Sequence, residues 1–300
     1  MEHFDLKEAD SIKDKVVVIT GANTGIGFEI AKFLSLKGAS VILACRDENR
    51  GNEAKKHIPG NIEYINLNLQ NFESIEVFSD QVMKTYPKVD VLINNAGVMR
   101  PPFTRTKEHL ELTFAVNYIG YYLLSHRLIP MMKDVRGSRV VNMSSISQYR
   151  INHIDWTNIN SEFHYDKMKT YALSNLFRIM FTIELNAKLR GKNYQTLSVA
   201  CHPGVTLTNI VRYMPKILSN SIFSKILNST IFHSPDKAAI PAIMAATSKL
   251  IKGGEFVGLH TKRQFRGKPI IVEPNKLAMD PILRERLWNK SVEITGVGLE

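Results

Sequence analysis

The sequence predicts an α/β fold, a doubly wound parallel sheet of about seven strands with helices on both faces. Three observations support this prediction. Short apolar runs alternate with amphipathic segments along the chain, the runs are apolar on both faces as in strands buried between two helical layers, and a glycine-rich turn follows the first run. No linker or repeat beyond this alternation interrupts the 300 residues, so we expect a single domain over 1–300.

Each predicted element comes from one run or one periodic segment. The predicted strands are 16–20, 41–45, 62–67, 89–94, 139–143 and 196–200, and the predicted helices are about 24–37, 47–57, 71–86, 106–133 and 165–190. The region 205–233 is apolar with interspersed lysines and follows the sixth strand, where open α/β sheets place elements that cover ligands. We expect a substrate lid there. Packing against the sheet and a helix at a membrane surface are the alternatives.

Composition and charge narrow the possible partners. The formal net charge is +11, but the basic residues are scattered, apart from one local group between Lys262 and Lys268. Nucleic-acid platforms interleave clustered basic and aromatic residues, so we expect no nucleic-acid partner. There is no run of about 18 apolar residues, so we expect no membrane span, while association with a membrane surface stays open.

The cysteines and the first residues indicate a compartment. Cys45 and Cys201 lie in apolar, strand-like runs, which argues against a disulfide framework and for a reducing environment. The first residues have neither the charge pattern nor the apolar core of a signal peptide. We therefore expect a cytoplasmic protein, and we expect no metal site.

A glycine-rich turn connects the first predicted strand to the first predicted helix. The stretch from Thr20 to Gly27 reads T-G-A-N-T-G-I-G. Glycines let the backbone turn tightly and approach a diphosphate, and the first N–H groups of the helix then face its negative charge. We therefore predict an adenine dinucleotide site at this turn. Its candidate residues are Gly21, Asn23, Thr24, Gly25, Ile26 and Gly27.

Further motifs follow in a fixed order along the chain. They are Asn94-Asn95-Ala96-Gly97, Asn117, Ser144-Ser145, Tyr171 and His202-Pro203-Gly204. Together with the glycine turn, they resemble the short-chain dehydrogenase/reductase family. The segments 253–256 and 287–297 look like its retinol-dehydrogenase-like branch, so the resemblance covers nearly the whole chain. It implies a Rossmann fold, hydride transfer between a nicotinamide and an alcohol or carbonyl compound, and a homodimer or tetramer.

The resemblance also implies roles for individual residues. Tyr171 becomes the acid or base at the substrate oxygen, Ser145 hydrogen-bonds that oxygen, and Asn117 helps to position a proton-relay water. His202 is interpreted as a packed, structural group. The further cofactor contacts that the resemblance implies are Asn68, Leu69, Asn95, Ala96 and Gly97, with Pro203, Gly204, Val205, Thr206 and Thr208 at the carboxamide.

The chain departs from the family pattern at Asn175. The family has a lysine four residues after the tyrosine, which holds the nicotinamide ribose and favours the phenolate. Asparagine can hydrogen-bond a ribose but carries no charge. We therefore expect Tyr171 and Asn175 to contact the cofactor, activity that is weak or has a raised pH optimum, and a higher turnover in Asn175→Lys. Arg178 and Lys167 share the helix face of Tyr171, with Arg178 about 10 Å away along the axis.

A second register of the tyrosine motif is open. Tyr165 and Lys169 also have the Tyr-x-x-x-Lys spacing. The residues after position 171, Ser174-Asn175-Leu176 and then 181–185, match the family helix only if Tyr171 is the catalytic tyrosine. We therefore favour Tyr171 and keep Tyr165 as the alternative.

Arg46, at the end of the second predicted strand, indicates NADP rather than NAD. An acidic residue there pairs with the ribose hydroxyls of NAD, whereas a guanidinium matches a 2′-phosphate. Asp47 follows directly and weighs against NADP, unless it caps the next helix. We predict an NADP-dependent oxidoreductase for a hydrophobic alcohol, aldehyde or ketone, with a catalytically impaired NADP-binding sensor or assembly partner as the alternative. Apolar residues near the motifs support such a substrate: Met99, Phe103, Tyr149 and Trp156.

Overall fold

One eight-stranded sheet forms the centre of the protein. The computed structural model describes residues 4–206 and 233–299. Neighbouring strands follow the order β3-β2-β1-β4-β5-β6-β7-β8, and every pair is parallel except β7 with β8. The strands are β1 Val16–Thr20, β2 Ser40–Cys45, β3 Ile62–Asn66, β4 Val91–Asn94, β5 Arg139–Met143, β6 Leu197–Cys201, β7 Phe256–Leu259 and β8 Pro269–Val272.

Helices cover both faces of this sheet. Those described are α1 Gly25–Leu36, α2 Glu48–His57, α3 Phe72–Thr85, α4 Leu112–Phe114, α5 Gly120–Leu128, α6 Lys167–Gly191, α7 Pro235–Thr247, α8 Lys276–Met279 and α9 Pro281–Thr295. A π-helical stretch, Ala115–Ile119, joins α4 to α5. Short 3₁₀ helices occupy Leu6–Glu8, Ile129–Met131 and Ile146–Arg150.

The doubly wound parallel sheet predicted from the sequence is confirmed. All six predicted runs are strands, displaced by at most two residues at either end. The sheet is one strand larger than expected, because β8 returns antiparallel to β7 and forms an edge. The short strands β7 and β8 were not among the predicted runs.

The helical segment predicted to begin at residue 106 begins later. Residues from Thr106 to Leu110 form a turn in which His109 has a positive φ of 58°. The α4 helix starts at Leu112, because the carboxylate of Glu111 accepts a hydrogen bond from the backbone N–H of Phe114 at 2.8 Å and so caps it. The prediction of one helix over 106–133 was therefore wrong at its first turn and missed the π-helical stretch.

Alternate strand residues supply the two halves of the core. Val16 and Val18 of β1 face the layer of α3, α5, α6 and α9, whereas Val17 and Ile19 face the layer of α1, α2 and α7. Because the strands are parallel, their carboxyl ends meet at one edge of the sheet. Strand order reverses between β1 and β4, so this edge has a crevice of the kind that holds ligands in open α/β sheets.

The described residues, 4–206 and 233–299, bear on the expectations about membranes, metals and disulfides. Within them, no helix combines the length and the apolar character needed to cross a membrane. Within the same residues no cluster of metal-ligating side chains occurs. Cys45 and Cys201 are buried free thiols, and burial raises the pKa of Cys45 to about 11.

His126 makes the stability of the fold dependent on pH. It packs against Tyr122 and Trp288 with ring centroids 4.1 and 5.1 Å away, and burial lowers its pKa to about 4. A histidine in an unfolded chain has a pKa near 6.5, so between pH 6.5 and 4 the unfolded chain binds a proton that the folded chain does not. The free energy of unfolding that this neutral ring contributes is therefore present above pH 6.5 and lost as the pH falls to 4.

We expect His126→Phe to reduce this loss by about 2–3 kcal/mol. Urea unfolding of the variant and the unmodified protein at pH 6.5 and at pH 4 measures it. The exposed His153→Phe controls for removal of a histidine as such. Equal losses of unfolding free energy in His126→Phe and in the unmodified protein would contradict the assignment.

Candidate active site

The glycine turn places the N-terminus of α1 at the crevice. Gly21 and Gly25 have positive φ angles of 66° and 60°, which residues with a Cβ rarely adopt. Thr24 is the N-cap residue of α1, and the free N–H groups of the first turn follow it. This 12-residue helix therefore directs its positive end toward the carboxyl edge of β1 and β4.

Thr20 ties the glycine turn to the motif after β4. Its hydroxyl oxygen accepts hydrogen bonds from the backbone N–H groups of Asn95 and Ala96, both at 2.9 Å. The side-chain amide of Asn95 donates in turn to the carbonyl of Thr20 at 2.9 Å. The two segments that sequence reasoning assigned to the cofactor thus form one hydrogen-bonded unit.

At the end of β2, Arg46 is exposed and Asp47 is already engaged. The Asp47 carboxylate accepts from the backbone N–H of Arg50 at 3.0 Å and caps α2. This is the capping role that the sequence left open. After β3, Asn68 is half-buried and Leu69 is buried at the same edge of the sheet.

A hydrogen bond between neighbouring residues ties the segment of Ser145 to the helix of Tyr171. Ser145 follows β5 and caps the 3₁₀ helix Ile146–Arg150, accepting from the backbone N–H of Ser147 at 3.2 Å. The hydroxyl of Ser144 donates to the carbonyl of Asn175 at 2.8 Å, which fixes the end of β5 against α6 one turn after Tyr171. Both candidate side chains are half-buried, so they keep exposed surface.

The alternative tyrosine lies in a different environment. Tyr165 precedes α6, its hydroxyl donates to the carbonyl of Pro101 at 2.6 Å, and its ring packs against Phe103. Burial raises its pKa to about 12. Lys169, its partner in the second register, is exposed on the first turn of α6. Contacts to the chain thus occupy the Tyr165 hydroxyl, which favours Tyr171.

Asn117 lies in the π-helical stretch and is fully buried. Its side-chain oxygen accepts from the backbone N–H of Val98 at 2.8 Å, and its amide donates to the carbonyl of Val98 and to the hydroxyl of Ser174. It therefore links the segment after β4 to α6, close to Tyr171.

Asn175 is also fully buried, and its hydrogen bonds run within the protein. Its amide donates to the carbonyl of Tyr171 at 2.8 Å, and its side-chain oxygen accepts from Nη1 of Arg178 at 3.0 Å. A direct hydrogen bond to a ribose would require this side chain to move. The sequence did not predict the hydrogen bond with Arg178, because the distance between two residues along a helix axis does not show how far a long side chain reaches.

The segment after β6 is held by a loop between β7 and β8. The backbone N–H of Val205 donates to the carbonyl of Phe265 at 2.9 Å, and the hydroxyl of Thr206 donates to the carbonyl of His233 at 2.6 Å. Pro203 and Gly204 are half-buried beside them. Thr208 and nearly all of the region interpreted as a lid lie outside the described residues.

His202 is packed inside the protein, which supports the structural role predicted from the sequence. It is fully buried, and burial lowers its pKa to about 4. Its Nδ1 accepts from the backbone N–H of Gly204, so Nε2 carries the proton and donates to the side-chain oxygen of Gln264 at 2.7 Å. Sequence reasoning missed Gln264, which has no neighbouring motif.

The apolar residues cited for the substrate divide into two groups. Met99 and Phe103 lie in the loop after β4. Tyr149 follows Ser145 by four residues in the sequence and is partly exposed, and its hydroxyl donates to the carbonyl of Glu273. Trp156 instead stacks between Phe177 and the guanidinium of Arg286. It therefore packs toward α6 and α9.

The fold and these residues define an oxidoreductase that uses a nicotinamide dinucleotide. The sequence model of the family described as "short chain dehydrogenase" matches residues 15–216. Mouse retinol dehydrogenase 13 is 35% identical over 96% of this chain and 86% of its own length, and human retinol dehydrogenase 11 is 33% identical over 95% and 87%. The chain therefore belongs to the short-chain dehydrogenase family, in its retinol-dehydrogenase-like branch.

Solved structures give the same fold. A putative uncharacterized protein from Mycobacterium paratuberculosis has a TM-score of 0.83 and 28% identity over the whole of both chains. The RhlG/NADP active-site complex of Pseudomonas aeruginosa has a TM-score of 0.65 and 19% identity over 82% of this chain and 94% of its own, which is a similarity of fold.

Proposed function

We propose that the protein is an NADP-dependent oxidoreductase that transfers a hydride between nicotinamide and a hydrophobic alcohol, aldehyde or ketone. The observation that supports this proposal is a pair of hydrogen bonds between motifs: Ser144 donates to the carbonyl of Asn175, which ties the segment of Ser145 to the helix of Tyr171, and Asn95 donates to the carbonyl of Thr20 at the glycine turn. Both hydrogen bonds lie at the carboxyl edge of the sheet, where this fold binds dinucleotides.

The residues present fit a dinucleotide of this kind. The first N–H groups of α1 have no acceptor within the helix itself and suit a diphosphate, and Gly21 and Gly25 bring no side chain to the turn. Arg46 offers an exposed guanidinium at the end of β2. When bound, the nicotinamide supplies the hydride acceptor or donor of the reaction.

The chain itself supplies the proton and the charge stabilisation. Tyr171 donates a proton to the substrate oxygen during reduction and accepts it during oxidation. Ser145 donates a hydrogen bond to the same oxygen and stabilises the charge that develops on it. Asn175 supplies no positive charge to this site, and its side chain is occupied by hydrogen bonds within the protein.

The relatives narrow the substrate class. The most informative shared name is retinol dehydrogenase, given to proteins that align with almost all of this chain. Retinol and retinal fit the hydrophobic class inferred from the sequence, so retinal is the first substrate to test. Longer aliphatic aldehydes, aromatic aldehydes and ketones complete the panel.

Arg46 sets the choice of cofactor in this proposal. It is free to meet a 2′-phosphate, because the neighbouring Asp47 is engaged as the cap of α2. A charge-assisted hydrogen bond of this kind contributes about 1.5–3 kcal/mol. We therefore expect NADPH to bind and to support turnover of the panel at least about tenfold better than NADH, and Arg46→Ala to remove most of that preference.

Fluorescence titration with both nucleotides, followed by their oxidation with the substrate panel, measures these expectations. Lys55→Ala, an exposed lysine in the last turn of α2, is the matched control. Tighter binding of NADH, or a preference that Arg46→Ala leaves unchanged, would overturn the cofactor assignment. Tight nucleotide binding without turnover of any substrate would favour the sensor or assembly role instead.

A further inference from the structure

Arg178 is a buried cation in the middle of the candidate active site. Only 4% of its surface is exposed. Its Nη1 donates to the side-chain oxygen of Asn175 at 3.0 Å, its Nη2 donates to the carbonyl of Ala96 at 3.2 Å, and its Nε donates to the carbonyl of Asn117. The guanidinium thus joins three of the motifs assigned to catalysis and to the cofactor.

No carboxylate balances this charge among residues 4–206 and 233–299. None of the ion pairs within these ranges includes Arg178. The face of the Tyr121 ring lies 4.5 Å from the guanidinium carbon, and carbonyl and amide oxygens supply the other contacts. Burying a cation without a counter-ion is costly, which indicates a function that requires positive charge at this point.

The backbone around Arg178 is built to admit it. The π-helical stretch Ala115–Ile119 interrupts the regular hydrogen bonding of this segment, and the Asn117 carbonyl within it accepts from Arg178. A Cβ at Gly97 would lie 3.2 Å from Nη2 of Arg178. The guanidinium therefore lies directly beneath the Asn95-Ala96-Gly97 segment.

We propose that Arg178 is the fixed positive charge of this active site and takes over the electrostatic role that Asn175 leaves unfilled. The inference rests on the proposed function. Arg178 acts as a positioning residue, because it reaches the site through Asn175, Asn117 and Ala96. The guanidinium lies against the Tyr121 ring, and Tyr121 interacts electrostatically with both Arg178 and Tyr171, so in this proposal the field of Arg178 reaches the Tyr171 phenol. A positive charge favours the phenolate form of a phenol and so assists proton transfer.

Two consequences follow from the chemistry of a guanidinium. It does not give up a proton in proteins, so Arg178 supplies charge but passes no proton onward. A lysine at position 175 would place a second cation beside the buried guanidinium of Arg178, whose Nη1 lies 3.0 Å from the Asn175 side-chain oxygen. The gain in turnover expected from the sequence for Asn175→Lys therefore requires removal of the charge at position 178.

Three further ionisable groups bear on the charge at Arg178, namely Tyr121, Cys201 and Lys167. Tyr121 stacks on Arg178, and burial raises its pKa well above the usual value although the guanidinium opposes this. Cys201, at the end of β6, interacts electrostatically with Tyr121, and burial also raises its pKa. Lys167 lies on the first turn of α6, four residues before Tyr171, and is exposed. It is the rival source of positive charge.

The test compares Arg178→Gln, Arg178→Lys, Asn175→Lys and the double variant Asn175→Lys/Arg178→Gln, with Lys167→Gln as the control. In Arg178→Gln we expect kcat at neutral pH to fall about tenfold and the pH–rate profile to move to higher pH by about one unit. Arg178→Lys retains most of the activity. Asn175→Lys gains nothing, whereas the double variant exceeds Arg178→Gln about tenfold.

A second readout does not depend on turnover. The phenolate absorbance of the protein without nucleotide is titrated against pH, and subtraction of the Tyr171→Phe curve isolates Tyr171. We expect Arg178→Gln to move this titration to higher pH and Lys167→Gln to leave it in place. If the titration moves but no substrate of the panel is turned over, the proposed function fails while the role of Arg178 stands.

Three results would overturn the inference. They are an unchanged Tyr171 titration in Arg178→Gln, a shift in Lys167→Gln instead, or a gain in turnover from Asn175→Lys alone. Thermal unfolding accompanies every variant. If Arg178→Gln does not fold, Arg178→Lys and Asn175→Lys decide the question, because a site in which Arg178 does not supply the charge predicts that Asn175→Lys alone raises turnover.

Discussion

Tyr171→Phe is expected to lower kcat by about three orders of magnitude while it leaves the Kd for NADPH within about threefold. A positioned acid or base typically contributes about 10²–10⁴-fold to the rate. The substitution removes one oxygen atom and keeps the half-buried ring on α6. Single-turnover assays with the best substrate of the panel and fluorescence titration with NADPH measure the two quantities.

Tyr165→Phe is the matched control for this prediction. It makes the same chemical change six residues earlier, where the hydroxyl donates to the carbonyl of Pro101. We expect a modest loss of stability, about 1 kcal/mol for one hydrogen bond, and little change in kcat. A thousandfold loss in Tyr165→Phe with an active Tyr171→Phe would instead establish the other register, with Lys169 as its partner.

Local sequence patterns were sufficient for most of the fold. Runs that are apolar on both faces identified six of the eight strands, because strands buried between two helical layers have no polar face to obscure them. The strands β7 and β8 have four residues each, too short for a pattern to stand out. The turn at residues 106–110 was predicted as helix, because the hydrogen bonds that stabilise it are not visible in the pattern of apolar residues.

The contacts of the site were much less accessible from sequence. The motifs placed Thr20, Asn95 and Ser145 at the ends of neighbouring strands, since parallel strands bring their carboxyl ends to one edge, and they placed Tyr171 on the helix that follows. The partners of Arg178 are 82 and 61 residues away in sequence for Ala96 and Asn117, and no local pattern indicates them. Asn175 likewise appears in the sequence as a candidate ribose ligand, and only the structure shows that its side chain is buried and accepts a hydrogen bond from Arg178.

Gly27→Ala is expected to be the most damaging single-methyl change at the cofactor site. A Cβ at position 27 would lie 2.6 Å from the carbonyl oxygen of Gly21 and 3.0 Å from the Cα of Ala22. Both are backbone atoms of the glycine turn, and the turn is held in place because the amide of Asn95 donates to the carbonyls of Thr20 and Gly21. The α1 helix must therefore move away from the turn, which misaligns the N–H groups that we propose for the diphosphate.

Overpacking of this kind costs about 1–3 kcal/mol. We therefore expect the Kd for NADPH to rise about 10- to 100-fold and the free energy of unfolding to fall by about 1–3 kcal/mol. Gly191→Ala is the matched control, because a Cβ at the end of α6 meets nothing within 4 Å. Titration with NADPH and urea unfolding of both variants separate the local effect from the cost of any alanine. Because the proposed diphosphate site depends on the close approach of α1 to the turn, wild-type affinity in Gly27→Ala would show that the dinucleotide binds elsewhere.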